Sequence, residues 1–302
     1  MNNLEIATLD VSFCLRKDFT KNIIASLVDK RLSINLISEK GTGKTRLLED
    51  IRKCNLPGIC IVNINLKSYD NNYDGLLKEI HRQLELSEEV PGHLYQLFEG
   101  LETQPIYLVF LDNYDALLDN PKIDGKFDVN FFDDLNAIKN RDNVSLLCIT
   151  CRPHNTLPVF IEGESFRNSW LTLEKIYIPS LTRVQLMDEL ERQLGDKWKG
   201  LNHDDKESLL ACIRNKKFPF RRLCFLTGKI KTQTYEEAEH KFKKRLKKWM
   251  KEFKKGEKYA LDKKLHGIKS STEGAVIASG INKWRIPIIS DISKFIKNKL
   301  GG

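Results

Sequence analysis

The stretch Ile34–Ile51, INLISEKGTGKTRLLEDI, decides how this chain folds. An apolar run, Leu32 to Ile37, breaks into a short glycine-containing turn and then into Leu47, Leu48 and Ile51 at helical spacing, which reads as strand, loop, helix. Gly41, Gly43, Lys44 and Thr45 fall on the last positions of the spacing G-x-x-x-x-G-K-[ST]. In that arrangement the glycines let the backbone bend around a chain of phosphates with its N–H groups turned inward, and the following helix offers its positive end. Lys40, Gly41, Thr42, Gly43, Lys44, Thr45 and Arg46 are therefore the candidate lining for ATP. Lys44 would reach the β- and γ-phosphates and the Thr45 hydroxyl would hold Mg²⁺. Ser38 stands where the motif has its first glycine. Serine fits there only if its backbone avoids the left-handed region, which costs a non-glycine residue about 1–2 kcal/mol. The competing reading is a Gly-Lys-Thr helix start that holds no ligand.

Downstream, IYLVFL (Ile106 to Leu111) is apolar on both faces, as a buried parallel strand should be, and ends at Asp112. A carboxylate at that end of a strand beside the phosphate loop orders Mg²⁺, so Thr45 and Asp112 are the candidate metal pair. The alternative for Asp112 is a turn or helix-capping aspartate. Asn113 follows where a hydrolysing enzyme often carries glutamate, and an amide cannot take a proton from water. Asp115 is the nearby substitute, so Lys44, Asp112 and Asp115 are the candidate catalytic set, although Asp115 also suits a cap. A second buried strand, Val144 to Cys151, leads to Thr150 and Arg152, either of which could sense a γ-phosphate. An ordinary surface ion pair is the equal alternative for Arg152.

Alternating strands and helices imply an α/β P-loop domain over residues 1–178, three layers around a parallel sheet whose last strand runs from about Thr172 to Ile178. It would open with a short strand, Leu4 to Leu9, and a helix, Asp18 to Asp29. A helix from Tyr73 to Leu86 and others around Gly92 to Leu101 and Asp128 to Ile138 are expected between the strands. Residues 179–232 read as wholly helical, a small lid, with Thr182 capping Val184 to Leu194. Helices over His203 to Asn215 and Phe218 to Ile230 complete it. Pro219, Arg221 and Arg222 at the start of its last helix are candidates for facing the nucleotide, against a plain capped, solvated helix.

Hydrophobic residues make up 41% of the 302-residue chain and charged residues 30%, which suits a folded core and more than one domain. No apolar run approaches the ~20 residues of a membrane span, and the first 15 residues lack a secretory pattern, so a cytoplasmic location is expected. Seven cysteines, an odd number, suit free thiols in a reducing compartment. Cys148 and Cys151 have C-x-x-C spacing but lie in an apparent strand, where residues three apart point to opposite faces.

Charge is unevenly placed. Residues 241–302 carry 18 basic and 5 acidic residues, a net of +13, against −4 for the first 240. Residues 233–302 form a basic helical C-terminal region, beginning with a helix from Tyr235 to about Lys255. Ala238, Phe242, Leu246, Trp249 and Phe253 share one face of it, and lysines surround them. Such a helix suits nucleic-acid phosphates, an anionic lipid surface, or plain solvated packing. A further apolar stripe, Ile288 to Leu300, suits a winged-helix remnant or an interfacial segment.

The order of these parts resembles the AAA+ and related STAND ATPases, especially the origin-recognition-like and transposition-associated branch. The resemblance spans about residues 10 to 230. It rests on Phe13 to Arg16, on SEKGTGKT (38–45) as Walker A and FLDNYD (110–115) as Walker B, on ITCR (149–152) in the sensor 1 region, on IPSLT (178–182) at the junction to the lid, and on FPFRR (218–222) where a sensor 2 motif would sit. It implies ATP held between core and lid, homo-oligomers with nucleotide at subunit interfaces, and an arginine supplied by a neighbour. The expected function is an ATPase acting on DNA in replication, transposition or defence against mobile elements, with ATP, ADP and a protein partner among its ligands. A non-hydrolysing nucleotide switch and an ATPase-regulated membrane-surface effector are the alternatives.

Overall fold

Alternate residues of β3 (Ile106–Asp112) serve two different cores, and this alternation sets the architecture. A computed structural model describes residues 9–101, 105–166, 171–214, 216–232 and 242–275. On one face Tyr107, Val109 and Leu111 join Leu76, Leu77 and Ile80 of α3 (Tyr73–Gln83) and Phe131, Phe132 and Leu135 of α5 (Val129–Lys139). On the other, Ile106, Leu108 and Phe110 meet Ile23, Ile24 and Leu27 of α1 (Lys17–Val28) and Leu47, Leu48 and Ile51 of α2 (Lys44–Lys53). β4 (Val144–Thr150) divides in the same way, so both central strands are buried throughout. Each fully buried Leu, Ile or Phe contributes about 1.5–3 kcal/mol.

β1 (Ile34–Ile37), β2 (Ile59–Asn65), β3, β4 and β7 (Glu174–Tyr177) make one parallel sheet in the order β2-β3-β4-β1-β7. A parallel sheet with helices on both faces is the expected three-layer α/β core. The Val159–Ile161 and Glu164–Phe166 strands, β5 and β6, form an antiparallel hairpin that the sequence does not announce. Its two-residue turn, Glu162-Gly163, has φ of 50° and 85°, the positive pair that a tight hairpin needs. The helix expected around Gly92 to Leu101 is a single turn, α4 (Gln96–Glu99). Leu94, Leu97 and Phe98 bury in the α3/α5 core without a longer helix.

After the sheet come α6 (Arg183–Leu194), α7 (Asp196–Lys199), α8 (His203–Ile213) and α9 (Pro219–Lys231). Thr182 caps α6 through a reciprocal box with Gln185. α6 packs on α7, α8 and α9, burying Leu186, Leu190, Leu210 and Leu226. The chain divides into two compact units, Met1–Lys243 and Lys244–Gly302. α10 (Phe242–Ala275) is one helix. Phe242, Leu246, Trp249 and Phe253 share one of its faces, and exposed Lys244, Lys247, Lys248, Lys251, Lys255 and Lys258 share the opposite one. Leu4 to Thr8, residues 233–241 and the Ile288 to Leu300 stripe lie outside the described residues.

Candidate functional site

The site is built where β1 ends. The Ser38 N–H donates to Thr150 O at 3.1 Å, tying the exit of β1 to the end of β4. From there the chain turns at Gly41 and Gly43, with φ of 71° and 96°, and Gly43 starts α2. Ser38 is not among the described residues of positive φ, so serine meets the condition its position sets. Its hydroxyl donates to Thr42 Oγ1 at 2.7 Å, and the Thr42 hydroxyl donates to Glu39 O at 2.9 Å, bracing the turn across its width. Lys40 is exposed on the same turn.

Lys44 Nζ donates to Ser38 O at 2.6 Å and to Cys151 Sγ at 3.2 Å. Beside it the Thr45 hydroxyl lies 3.5 Å from Asp112 Oδ2, bringing together the first residues of α2 and the last of β3. Asp112 Oδ1 accepts the Asn113 N–H at 2.9 Å. Burial pushes the Asp112 carboxyl above its ordinary range, against the pull of the Asn113 amide and of Lys44. A hydroxyl beside a buried carboxylate is a hard-oxygen pair, and its chemistry fits Mg²⁺. Asn113 itself is left-handed (φ 57°) and turns its amide to Asn65 Oδ1 at 3.0 Å. Asp115, in the 3-10 turn Tyr114–Ala116, acts electrostatically on both Asp112 and Cys151.

Other expected lining residues are committed elsewhere. Arg46 is buried, its guanidinium bonded to Asp50 at 2.7 Å, to Glu189 of α6 at 2.8 Å and to Phe13 O at 3.1 Å. One residue past Thr45 is about 100° round the helix, which turns Arg46 from the loop towards α6. Thr150 is fully buried and accepts the Asn35 amide at 2.9 Å. Arg152 pairs with Asp119 at 3.2 Å on the surface. Arg222 donates to Lys217 O at 2.7 Å and Cys212 O at 3.3 Å, at the junction of α8 and α9. Pro219 is the first residue of α9, whose start sits on the loop: the Phe220 and Arg221 N–H groups donate to Gly41 O at 2.9 and 3.2 Å. A Cβ on Gly41 would meet the Phe218 Cβ at 2.7 Å, so this close approach requires glycine as much as its φ does. Phe218 is itself left-handed at φ 60°, a strain of about 1–2 kcal/mol.

Arg16 completes the frame, donating to Thr42 O at 2.8 Å and Pro179 O at 3.1 Å. Burial pulls its guanidinium down to about 10, with Asp50 opposing. No family model matches the chain, and no curated protein matches it. Among solved structures, the Walker-type ATPase PABY2304 of Pyrococcus abyssi is similar at a TM-score of 0.59 and 12% identity, over 93% of this chain and 88% of that one. The chain shares the fold of that Walker-type ATPase. Looser likenesses are the Aeropyrum pernix ORC1 protein in complex with DNA (TM-score 0.45, 20% identity, 71% of this chain and 58% of that one) and Caenorhabditis elegans PCH-2 (0.46, 14%, 83% and 72%). This chain thus spans 58% of the length of that ORC1 chain.

Three residues that hold the loop and its flanking elements escape a reading of the sequence. Cys151 stands out there only as half of a C-x-x-C pair, though it follows directly on the strand end that carries Thr150. Glu189 looks like any surface glutamate of an amphipathic helix, and only packing reveals it as the partner of Arg46. Asn35 is an amide inside an apolar strand, a sequence signal that a buried polar contact is needed there.

Proposed function

We propose that this chain binds ATP with Mg²⁺ and hydrolyses it, working as a homo-oligomer on DNA through its basic C-terminal region. The observation that carries this reading is the meeting of Lys44, Thr45 and Asp112 at the ends of β1 and β3, with the Thr45 hydroxyl 3.5 Å from the Asp112 carboxylate. The core is assigned to residues 1–178, the lid to 179–232 and the basic region to 233–302. The amides of Gly41, Thr42 and Gly43 and the Lys44 ammonium bind the phosphates. Thr45 and Asp112 would hold Mg²⁺, which would supply charge neutralisation for the phosphates. Asp115 takes the proton from the attacking water. A neighbouring protomer supplies an arginine, a contribution of about 10³–10⁵ in rate. Lys44→Ala is expected to abolish ATP binding by calorimetry, and undiminished affinity would remove this reading.

A second reading, a nucleotide switch that does not turn over, is favoured by Asn113, whose amide is bonded to Asn65 rather than aimed at the loop. Turnover by the purified chain that stops in Asp115→Ala supports hydrolysis. ATP binding without phosphate release supports the switch.

A further inference from the structure

Cys151 lies just beyond β4 with its sulfur 3.2 Å from Lys44 Nζ. The backbone bond from Ser38 N to Thr150 O holds the loop and this strand end together. The same ammonium donates to Ser38 O at 2.6 Å and reaches Glu39 O at 3.4 Å, so two carbonyls and one sulfur surround it. Asp115, in the 3-10 turn after β3, acts on the thiol electrostatically. Burial pushes the Cys151 thiol up, Asp115 pushes it further, and Lys44 pulls it back. A thiol accepts from an ammonium and donates to a carboxylate, so it stands as a neutral spacer between the two. Without it, the Lys44 and Asp115 charges would be free to pair directly, withdrawing one group from phosphate and the other from water.

We propose that Cys151 is a positioning residue of the phosphate site: its thiol separates Lys44 from Asp115 and keeps the ammonium on the loop carbonyls, from where it transfers to a phosphate. This rests on the ATP reading above. The C-x-x-C spacing is then incidental, since Cys148 is buried in the α3/α5 core.

Two measurements test it on the full chain. In the first, Cys151→Ala and Cys151→Ser are titrated with Mg-ATP, and their thermal unfolding is followed alongside. The alanine variant is expected to bind roughly tenfold more weakly, the loss of one hydrogen bond to a charged group. Serine, which also accepts and donates, is expected to restore most of the affinity. In the second, nucleotide-free protein is alkylated with N-ethylmaleimide across pH, and the Cys151 peptide is quantified by mass spectrometry. The thiolate sulfur bonds to the maleimide alkene carbon, and the neighbouring carbon takes its proton from water. The pH midpoint is expected to rise in Lys44→Met and to fall in Asp115→Asn. Unmoved midpoints in both variants, or equal ATP affinity of Cys151→Ala and the parent, would overturn the proposal. Failure of the parent chain to bind ATP would overturn the ATP reading and this proposal with it, whereas normal ATP binding with unmoved midpoints overturns this proposal alone.

Discussion

Asn35 is the buried polar residue on which the floor of the site depends. Its amide donates to Cys148 O at 3.1 Å and Thr150 Oγ1 at 2.9 Å, and its carbonyl oxygen accepts the His154 N–H at 3.0 Å. The His154 ring places Nδ1 3.1 Å from that same oxygen and Nε2 2.7 Å from Leu171 O. Two acceptors face a ring that, when neutral, donates to only one. Burial decides the matter: it holds the His154 pKa below its ordinary 6.5, with Lys175 acting in the same direction against the bond to Leu171. A group with a lowered folded pKa binds fewer protons folded than unfolded, so this contribution is whole above about pH 6.5 and is lost as pH falls below it. Urea midpoints are expected to drop between about pH 7.5 and about pH 5.5, and the drop should shrink in His154→Gln. A midpoint that rises on acidification would mean that the two acceptors hold an imidazolium. Lys44, Thr45 and Asp112 were legible in the sequence because each is fixed by its own strand end or helix start. Asn35 and His154 were not, because they meet each other across more than 100 residues of chain.

At the scale of elements, the helix after the loop is clamped to α6. Arg46 of α2, paired with Asp50 on its own helix, meets Glu189 of α6, and Asp50 also accepts the Leu15 N–H at 2.9 Å. Burial pushes the Glu189 carboxyl up, but bonds from Arg192 and Gln193 and the charge of Arg46 hold it below its ordinary range. Removing one partner of a buried ion pair leaves an uncompensated charge. Glu189→Ala is therefore expected to lose roughly 3 kcal/mol of stability in denaturant titration. A loss below roughly 1 kcal/mol, the range of an exposed pair, would show the contact to be superficial. The docking of α9 on Gly41 works in parallel, so two separate contacts join loop and lid. The lid helices were readable from period and caps, as Thr182 shows. The β5/β6 hairpin was not, because three-residue strands carry too little alternation to stand out.

For the molecule as a whole, charge is the main asymmetry. The net charge of residues 241–302 is +13, against −4 for the rest of the chain. Exposed lysines recur along one face of α10 at Lys244, Lys248, Lys251, Lys255 and Lys258. If these neutralise DNA phosphates, log affinity should fall linearly with log salt, by about 0.9 per phosphate contacted. Duplex-binding titrations between low and high salt should show this slope, and it should vanish in a chain lacking residues 233–302. Tail-dependent flotation on anionic liposomes, with no DNA affinity, would move the assignment to a membrane surface.

The sequence by itself determined the phosphate loop, the buried strands and the acidic strand end, because each is written in adjacent residues whose period or turn chemistry is local. It also determined where the charge lies. Only the tertiary structure decided which side chains face the loop. It turned Arg46 to Glu189, Thr150 to Asn35 and Arg222 into the lid, and it set Cys151 against Lys44. The reason is geometric: a parallel sheet brings strand ends together through crossovers of tens of residues, and the direction of a side chain there follows from packing rather than from its neighbours in the chain.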